Sequence, residues 1–362
     1  MFFEKENMMK RTIALVLTLC LILSVAALAG CGKKPTIVNA NSNVDSNVDS
    51  NVVSGADTDA TQAAPVASIG ALPLTSFTAS AGGYDLTFEP IDLGGLFGGE
   101  STHDFTGDYA DGKYYLSDKG SKKTYVYAID GTSATQEAAH DDGVGFEKIT
   151  VNHAGDILLS QGIFEAYELL DDGTFTELPF RHDLECSKLE DFAVITWVNA
   201  DPTVIHDGVE GEWVFKNIND DENRVGKLSM VFDCEIAGER VLIGGTYMED
   251  GEDNYRIGVF DYDGNELAMT DPDDSAGYSA LNETENGIIS ANVGTIYLHD
   301  SDCKPLGRID DLKTKAGFDS NTVSTFWVQD FAVGSDGEVY MLVYVSKTDE
   351  TKEALLYKVT GF

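Results

Sequence analysis

Five of the six histidines in this chain are followed directly by an aspartate: His103-Asp104, His140-Asp141, His182-Asp183, His206-Asp207 and His299-Asp300. An imidazole beside a carboxylate can hold a divalent cation, move a proton or bind a cationic ligand. The same pair can equally do no more than fix a loop by hydrogen bonds. Position divides the pairs. The first three stand just before a new series of short apolar runs, where later loops carry Asp220-Asp221 and Asp273-Asp274 instead. His206 and His299 stand inside such series, at turns. The candidate binding face is therefore His103, Asp104, His140, Asp141, Asp142, His182, Asp183, Asp273 and Asp274, with Trp327 as an aromatic able to stack on a ligand. If these loops share one face, they make an acidic, histidine-bearing rim. No cofactor is expected, calcium being the one cation for which such a rim leaves room.

Other chemistry is harder to find. Asp261-Tyr262-Asp263-Gly264 carries two carboxylates of a calcium loop, but an EF-hand needs its Gly at position six and a Glu at position twelve. Here the Gly comes two places early, and position twelve is Pro272. Asp130-Gly131, Asp172-Gly173 and Asp207-Gly208 recur at comparable places, which is what a hairpin turn predicts. The chain has no Gly-x-Ser-x-Gly elbow, no His-Glu-x-x-His helix and no glycine-rich phosphate loop. Arg181, Arg224, Arg240, Arg256 and Arg308 form no cluster in sequence of the kind a sialidase uses for its carboxylate. Acidic pairs for glycoside hydrolysis are too numerous for any one to be singled out.

The elements that must position these residues are strands. Few windows hold an apolar 3.6-residue period beyond about ten residues; short runs of Val, Ile, Tyr and Phe alternate instead with Gly-containing turns. The runs repeat. "YADGKYYLSD" precedes "KTYVYAIDGTSA", "VNHAGDILLSQ" precedes "FEAYELLDDGTFTEL", and "EIAGERVLIGG" precedes "YRIGVFDYDGNELAM". "NETENGIISAN" and "AVGSDGEVYMLVYV" open two further units, and a degenerate unit with "FAVITWV", "TVIH" and "EWVFKNI" lies between about Asp183 and Asn219. Its innermost strand cannot be placed from sequence. A period of roughly forty to fifty residues signals stacked or radial units. The last unit stops one strand short at Phe362, and the orphan run Tyr84 to Leu93 can supply the missing outer strand. The expectation is an all-β, six-bladed β-propeller of four-stranded antiparallel blades, closed by an N-terminal strand.

A family resemblance sharpens this. "NYRIGVFDYDGNEL" resembles the second half of an NHL repeat through Asn254, Arg256, Ile257, Val259, Phe260, Asp261, Gly264 and Leu267. "QDFAVGSDGEVYML" (Gln329 to Leu342) resembles the first half, and "ITVNHAGDILLS" is a weaker copy. The resemblance implies a propeller of the NHL and TolB-like kind; it implies no activity, because such rings host many.

The N-terminus has a different character. Lys10 and Arg11 precede "TIALVLTLCLILSVAALAG", an apolar run that ends at Cys31. Leu28-Ala29-Gly30-Cys31 resembles the lipobox of bacterial lipoproteins, which implies lipidation of Cys31. A low-complexity Asn/Ser/Val/Asp tract follows and reads as a solvated tether with a reach of roughly 40 Å. The expected organisation is 1–30 signal peptide, 31–82 lipidated cysteine and disordered linker, and 83–362 propeller. A net charge of −38 excludes nucleic acid and anionic lipid surfaces as partners. Cys186, Cys234 and Cys303 have no zinc spacing and read as separate buried thiols.

These readings converge on a monomeric, non-enzymatic propeller, lipid-anchored on the extracytoplasmic side of a bacterial envelope, that binds a protein, peptide or glycan. One alternative is a propeller hydrolase or lyase with a divalent-cation site at the channel mouth. Another is a transporter's solute-binding lipoprotein, which would need two α/β lobes that this pattern does not supply.

Overall fold

Where the sequence alternates short apolar runs with Gly turns, the backbone forms antiparallel strands. The computed structural model describes residues 72–94, 105–152, 155–161, 165–178, 183–186, 193–197, 202–207, 213–217, 227–249, 251–272 and 280–362. All belong to one compact unit, Ala64–Phe362. Cys31 and the stretch expected to be a signal peptide ending in a lipobox lie outside the described residues.

The first strands are β1 (Phe77–Ala81) and β2 (Tyr84–Ile91). One blade follows from β3 (Phe105–Ala110), β4 (Lys113–Asp118), β5 (Lys123–Asp130) and β6 (Ser133–Asp141). The next is β7 (Lys148–Val151), β8 (Ile157–Ser160), β9 (Ala166–Leu169) and β10 (Phe175–Glu177). A third comprises β11 (Asp183–Cys186), β12 (Ala193–Trp197), β13 (Thr203–Asp207) and β14 (Trp213–Asn217). Its three outer strands are those the sequence indicates, and its innermost strand, unplaced from sequence, is β11. The fourth blade is β15 (Lys227–Ala237), β16 (Arg240–Glu249), β17 (Glu252–Asp261) and β18 (Glu266–Met269). The fifth is β19 (Ala280–Thr284), β20 (Gly287–Asn292), β21 (Thr295–His299) and β22 (Pro305–Ile309). A short helix, α1 (Leu312–Lys315), leads into β23 (Val323–Val333), β24 (Val339–Lys347) and β25 (Lys352–Thr360).

The expectation of six four-stranded blades is corrected here. The structure has five four-stranded blades, and the closing sheet has five strands in the order β1-β2-β25-β24-β23. β2 pairs antiparallel with β25, Phe88 opposite Val359. β1 then adds a strand outside β2, its Phe77 ring stacked on Phe88 at 4.4 Å. The sequence reading misses β1 because Phe-Thr-Ala-Ser-Ala blends with the small, polar residues of the preceding tract. The folded part therefore begins before residue 83, at or ahead of Phe77.

Innermost strands touch in the order β3, β7, β11, β15, β19, β23 and back to β3, so the sheets stand around a common axis as in a propeller. Middle strands face a neighbouring sheet on both sides and read as continuous apolar runs; Val339 to Val345 of β24 are all buried. Outermost strands face water, and β6 is mostly exposed. Between the fifth blade and the closing sheet, Ile289, Ile296, Leu298, Phe331 and Val343 share one apolar cluster.

Candidate functional site

Of the residues expected on the binding face, His103, Asp104, His182, Asp273 and Asp274 lie outside the described residues, and Asp183 is described only as the backbone that opens β11. His140 and Asp141 close β6, opposite Thr124 and Lys123 of β5. Asp141 makes an exposed pair with Lys123 at 3.6 Å. His140 packs on the outer turn of the second blade, where a Cβ on Gly173 would come within 2.8 Å of its Nδ1. Asp142 folds its own loop: Oδ1 accepts the N–H groups of Val144 at 3.0 Å and Gly145 at 2.7 Å. Burial raises its carboxyl above the ordinary range, with those two bonds opposing. Trp327 lies half-buried on β23. His140 and Asp141 thus sit on an outermost strand and Trp327 on an innermost one.

The Asp261 turn resolves as a hairpin between β17 and β18. Gly264 has φ 79°, and its N–H donates to the Asp261 carbonyl at 3.0 Å. Both carboxylate oxygens of Asp261 accept from Asn265, Oδ1 from the backbone N–H and Oδ2 from the side-chain amide, each at 2.8 Å. Among the described residues no group of three or more His, Cys, Asp or Glu side chains is arranged to hold a metal ion.

Polar side chains converge on the axis instead. Each innermost strand has one edge with no neighbouring strand, so its N–H and C=O groups need partners. The preceding blade supplies them. Asp108 Oδ2 accepts the Val151 N–H at 2.6 Å, Asp233 Oδ2 accepts the Leu281 N–H at 3.0 Å, and Asn282 Nδ2 donates to the Phe331 carbonyl at 2.9 Å. Thr106 Oγ1 donates to Asp330 Oδ2 at 3.2 Å, linking the closing sheet to the first blade. Two of these carboxylates are aimed by β-bulges: Phe232 is the extra residue before Asp233, and Gln329 the extra residue before Asp330.

Lys148 completes the group. It lies three residues before Val151, which pairs across the first turn of its blade, just as Asp330 lies three before Val333. The same blade position thus carries an ammonium in place of a carboxylate. Lys148 Nζ is 3.0 Å from Asp233 Oδ1 and 3.7 Å from Asp330 Oδ2, on two strands that are not neighbours of β7 in the ring. Its side chain therefore crosses the central space and stands where a bound cation would stand. Burial pushes the Asp330 carboxyl up to about 7; Lys148 opposes this, while the charges of Asp233 and Asp108 add to it. Asp233 is raised by burial against the pull of Lys148 and the N–H groups of Leu281 and Cys234.

A second feature lies at the far ends of the fourth blade's strands. β15, β16 and β17 run 11, 10 and 10 residues, against 5 and 6 for β19 and β20 of the next blade. β23, β24 and β25 of the closing sheet are similarly long, at 11, 9 and 9 residues, and the extra length of β15 to β17 lies at the end opposite the Gly238 turn. Leu228, Val231 and Tyr247 bury one face of it. The other face leaves Met230 46 %, Phe232 39 %, Met248 49 % and Tyr255 45 % exposed. The Phe232 and Tyr255 rings lie 6.1 Å apart. On the same face Thr246 stands between Met230 and Tyr255, its Oγ1 bonded to Ser229 Oγ at 2.7 Å, and Ser229 Oγ donates to Asp253 Oδ1 at 2.8 Å.

No protein-family model matches the chain, and no curated protein matches it in sequence. Solved structures similar to it share 12 % identity in each case. One is the Mitotic Checkpoint Complex, covering 74 % of this chain and 92 % of that one at a TM-score of 0.39. Another is the Nidogen/Laminin Complex, at 66 %, 94 % and 0.42. A third is the Cps50 (Swd1) beta-propeller domain of Myceliophteria thermophila, at 72 %, 88 % and 0.43.

The residues that sequence reasoning missed had a signal. Asp330 opens the stretch "DFAV" that carries the first-half resemblance, and aligning the weaker copy on its turn puts Lys148 under it. A lysine in the place of a buried aspartate marks a charge partner within the ring. The projecting strip had none, because "KLSMVFDCEIA" reads as an ordinary buried strand until the strand lengths of the neighbouring blade are known.

Proposed function

We propose that this chain is a binding and scaffolding propeller of the NHL and TolB-like kind, tethered on the extracytoplasmic side of a bacterial envelope through lipid at Cys31. It recognises a protein, peptide or glycan and performs no chemistry of its own. The observation that carries the reading is the strip of Met230, Phe232, Met248 and Tyr255, large side chains 39–49 % exposed on β15 to β17. Four such side chains left about two-fifths to one-half exposed amount to roughly 300–400 Å², a size at which an exposed apolar patch is commonly functional. Among the described residues the axis is taken up: Asp108, Asp233, Asn282 and Asp330 bond to neighbouring strands, and Lys148 lies among the carboxylates. The charge of −38 supports a partner other than nucleic acid. Recognition by a monomer without a cofactor is sufficient for this reading.

The test is site-specific photocrosslinking in cells, with the reactive residue at Met248 or Tyr255 and, as control, at Leu267, exposed on β18. A discrete adduct from the strip and not from Leu267 is expected. Identical patterns from both places, or no adduct from either, would sink the reading. Replacing Cys31 by Ser should move the protein from the membrane to the soluble fraction; retention in the membrane would remove the anchor from it.

A further inference from the structure

We propose that the groove outside β2, which the chain fills with its own residues 72–81, is a docking site for an extended segment of another protein, held shut by that strap. The strap stands apart from the closure of the ring. Pairing of β2 with β25 already gives the closing sheet the four strands that every other blade has; β1 is a fifth, paired in its sheet with β2 alone. Five residue pairs hold it there, and Gly82 and Gly83, at φ 62° and 89°, make the turn into β2.

The groove reads a definite pattern. Leu72, Phe77 and Ala79 are buried in one apolar cluster with Phe88, Phe318 and Tyr357, and Leu74 packs against it. The Phe77 ring stacks on Phe88 at 4.4 Å and meets Tyr357 edge-on at 5.7 Å, while Thr78 and Ser80 are exposed. Polar groups engage the strap as well. Glu353 Oε2 accepts the Leu72 N–H at 3.3 Å, and Lys347 Nζ lies 2.7 Å from the same oxygen, both side chains buried. Thr75 Oγ1 donates to the Ala316 carbonyl at 3.1 Å. A buried ion pair adds little net stability, and its best-attested use is to set register. Here Glu353 offers an acceptor to whichever strand lies across it.

Such a site takes a strand by edge addition, in which main-chain bonds give affinity and alternate side chains give specificity. The matching ligand is an extended segment with large apolar side chains at the spacing of Leu72, Leu74 and Phe77, small residues after them, and an N–H for Glu353. The strap competes from a high effective concentration, so an outside strand enters when it binds better or when the strap is loosened. This site lies on the closing sheet and not on β15 to β17, so its failure leaves the reading above standing.

A labelled peptide copying residues 72–81 would be titrated by fluorescence anisotropy against the full chain and against its Phe77→Ser variant, whose own strap has lost its ring contact. The variant should bind the peptide at least about tenfold tighter than the wild type does. A peptide carrying the same Phe77→Ser change should bind the variant at least about tenfold more weakly. Circular dichroism checks that the variant keeps its sheet. Amide hydrogen exchange of the wild type is the second arm: excess peptide should speed exchange in β1 several-fold and leave β2 unchanged, because the ring stays closed. No binding of the peptide by the folded variant, or equal binding of both peptides, overturns the docking site. Exchange in β1 unmoved by the peptide, or rising together with that of β2, overturns the exchangeable strap, and this arm decides alone if the variant does not fold.

Discussion

Replacing Asp330 by Asn should make the protein more stable at pH 8 and change it far less at pH 4. Asp330 is buried, accepts a hydrogen bond from Thr106 and lies 3.7 Å from Lys148. Its carboxyl titrates at about 7 in the fold, against roughly 3.9 in an unfolded chain. Between those values the folded state holds a proton that the unfolded state has released, so stability falls as pH rises from about 4 to about 7. A gap of three pH units at about 1.4 kcal/mol each gives a loss on the order of 4 kcal/mol, complete above the folded value. Asn resembles the protonated acid, keeps an acceptor for Thr106 and cannot ionise. Urea unfolding followed by tryptophan fluorescence, on the wild type and Asp330→Asn at several pH values, isolates this residue, because the remaining acids cancel in the difference. A difference below about 1 kcal/mol at pH 4 that grows by a few kcal/mol by pH 8 is expected. A constant difference, or one favouring the wild type at pH 8, would refute the placement of a protonated carboxyl beside Lys148.

Lys148→Met should destabilise by about 3–5 kcal/mol at pH 8, because Asp233 then keeps a buried charge without the ammonium 3.0 Å away. In the same unfolding assay the loss should shrink as the pH falls and the raised carboxyls of Asp233 and Asp330 take up protons. Gly107→Ala should cost about 1–3 kcal/mol, since its Cβ would meet the Tyr114 hydroxyl at 2.4 Å. Tyr114→Phe removes the closest clashing atom and should recover part of that loss in a double-mutant cycle. Cys234 and Cys303 are buried, and burial pushes the Cys303 thiol up to about 12. Neither should react with a thiol reagent until the protein unfolds, and fast labelling of the native protein would contradict their placement.

Sequence carries the blade pattern well wherever a turn is explicit. Asp261 to Gly264 shows how: the Gly at positive φ and the acceptor Asp fix a hairpin locally, so the flanking strands need no distant information. β1 fails the same test, because nothing in Phe77 to Ala81 makes it a strand until β2 lies alongside. β11 is short and borders no recognisable turn. The histidine–aspartate pairs stand out in the sequence as local chemistry, yet His140 and Asp142 act on the turn and loop nearest them. The groups gathered on the axis are the reverse. Asp108, Lys148, Asp233 and Asp330 look like scattered charges in the sequence, and only the circular order of the blades makes them neighbours.

That order also supports placing the proposed recognition at the ends of β15 to β17 and not on the axis. A propeller gives every blade an innermost strand with an unpaired edge, and buried backbone groups there are costly unless bonded. The carboxylates and the amide on the axis bond to the next strand, and their charges then require Lys148. A ligand entering at that level would have to replace those bonds before making any of its own. The extended ends of β15 to β17 carry no such duty. One face anchors them through Leu228, Val231 and Tyr247, and the opposite face leaves Met230, Phe232, Met248 and Tyr255 39–49 % exposed.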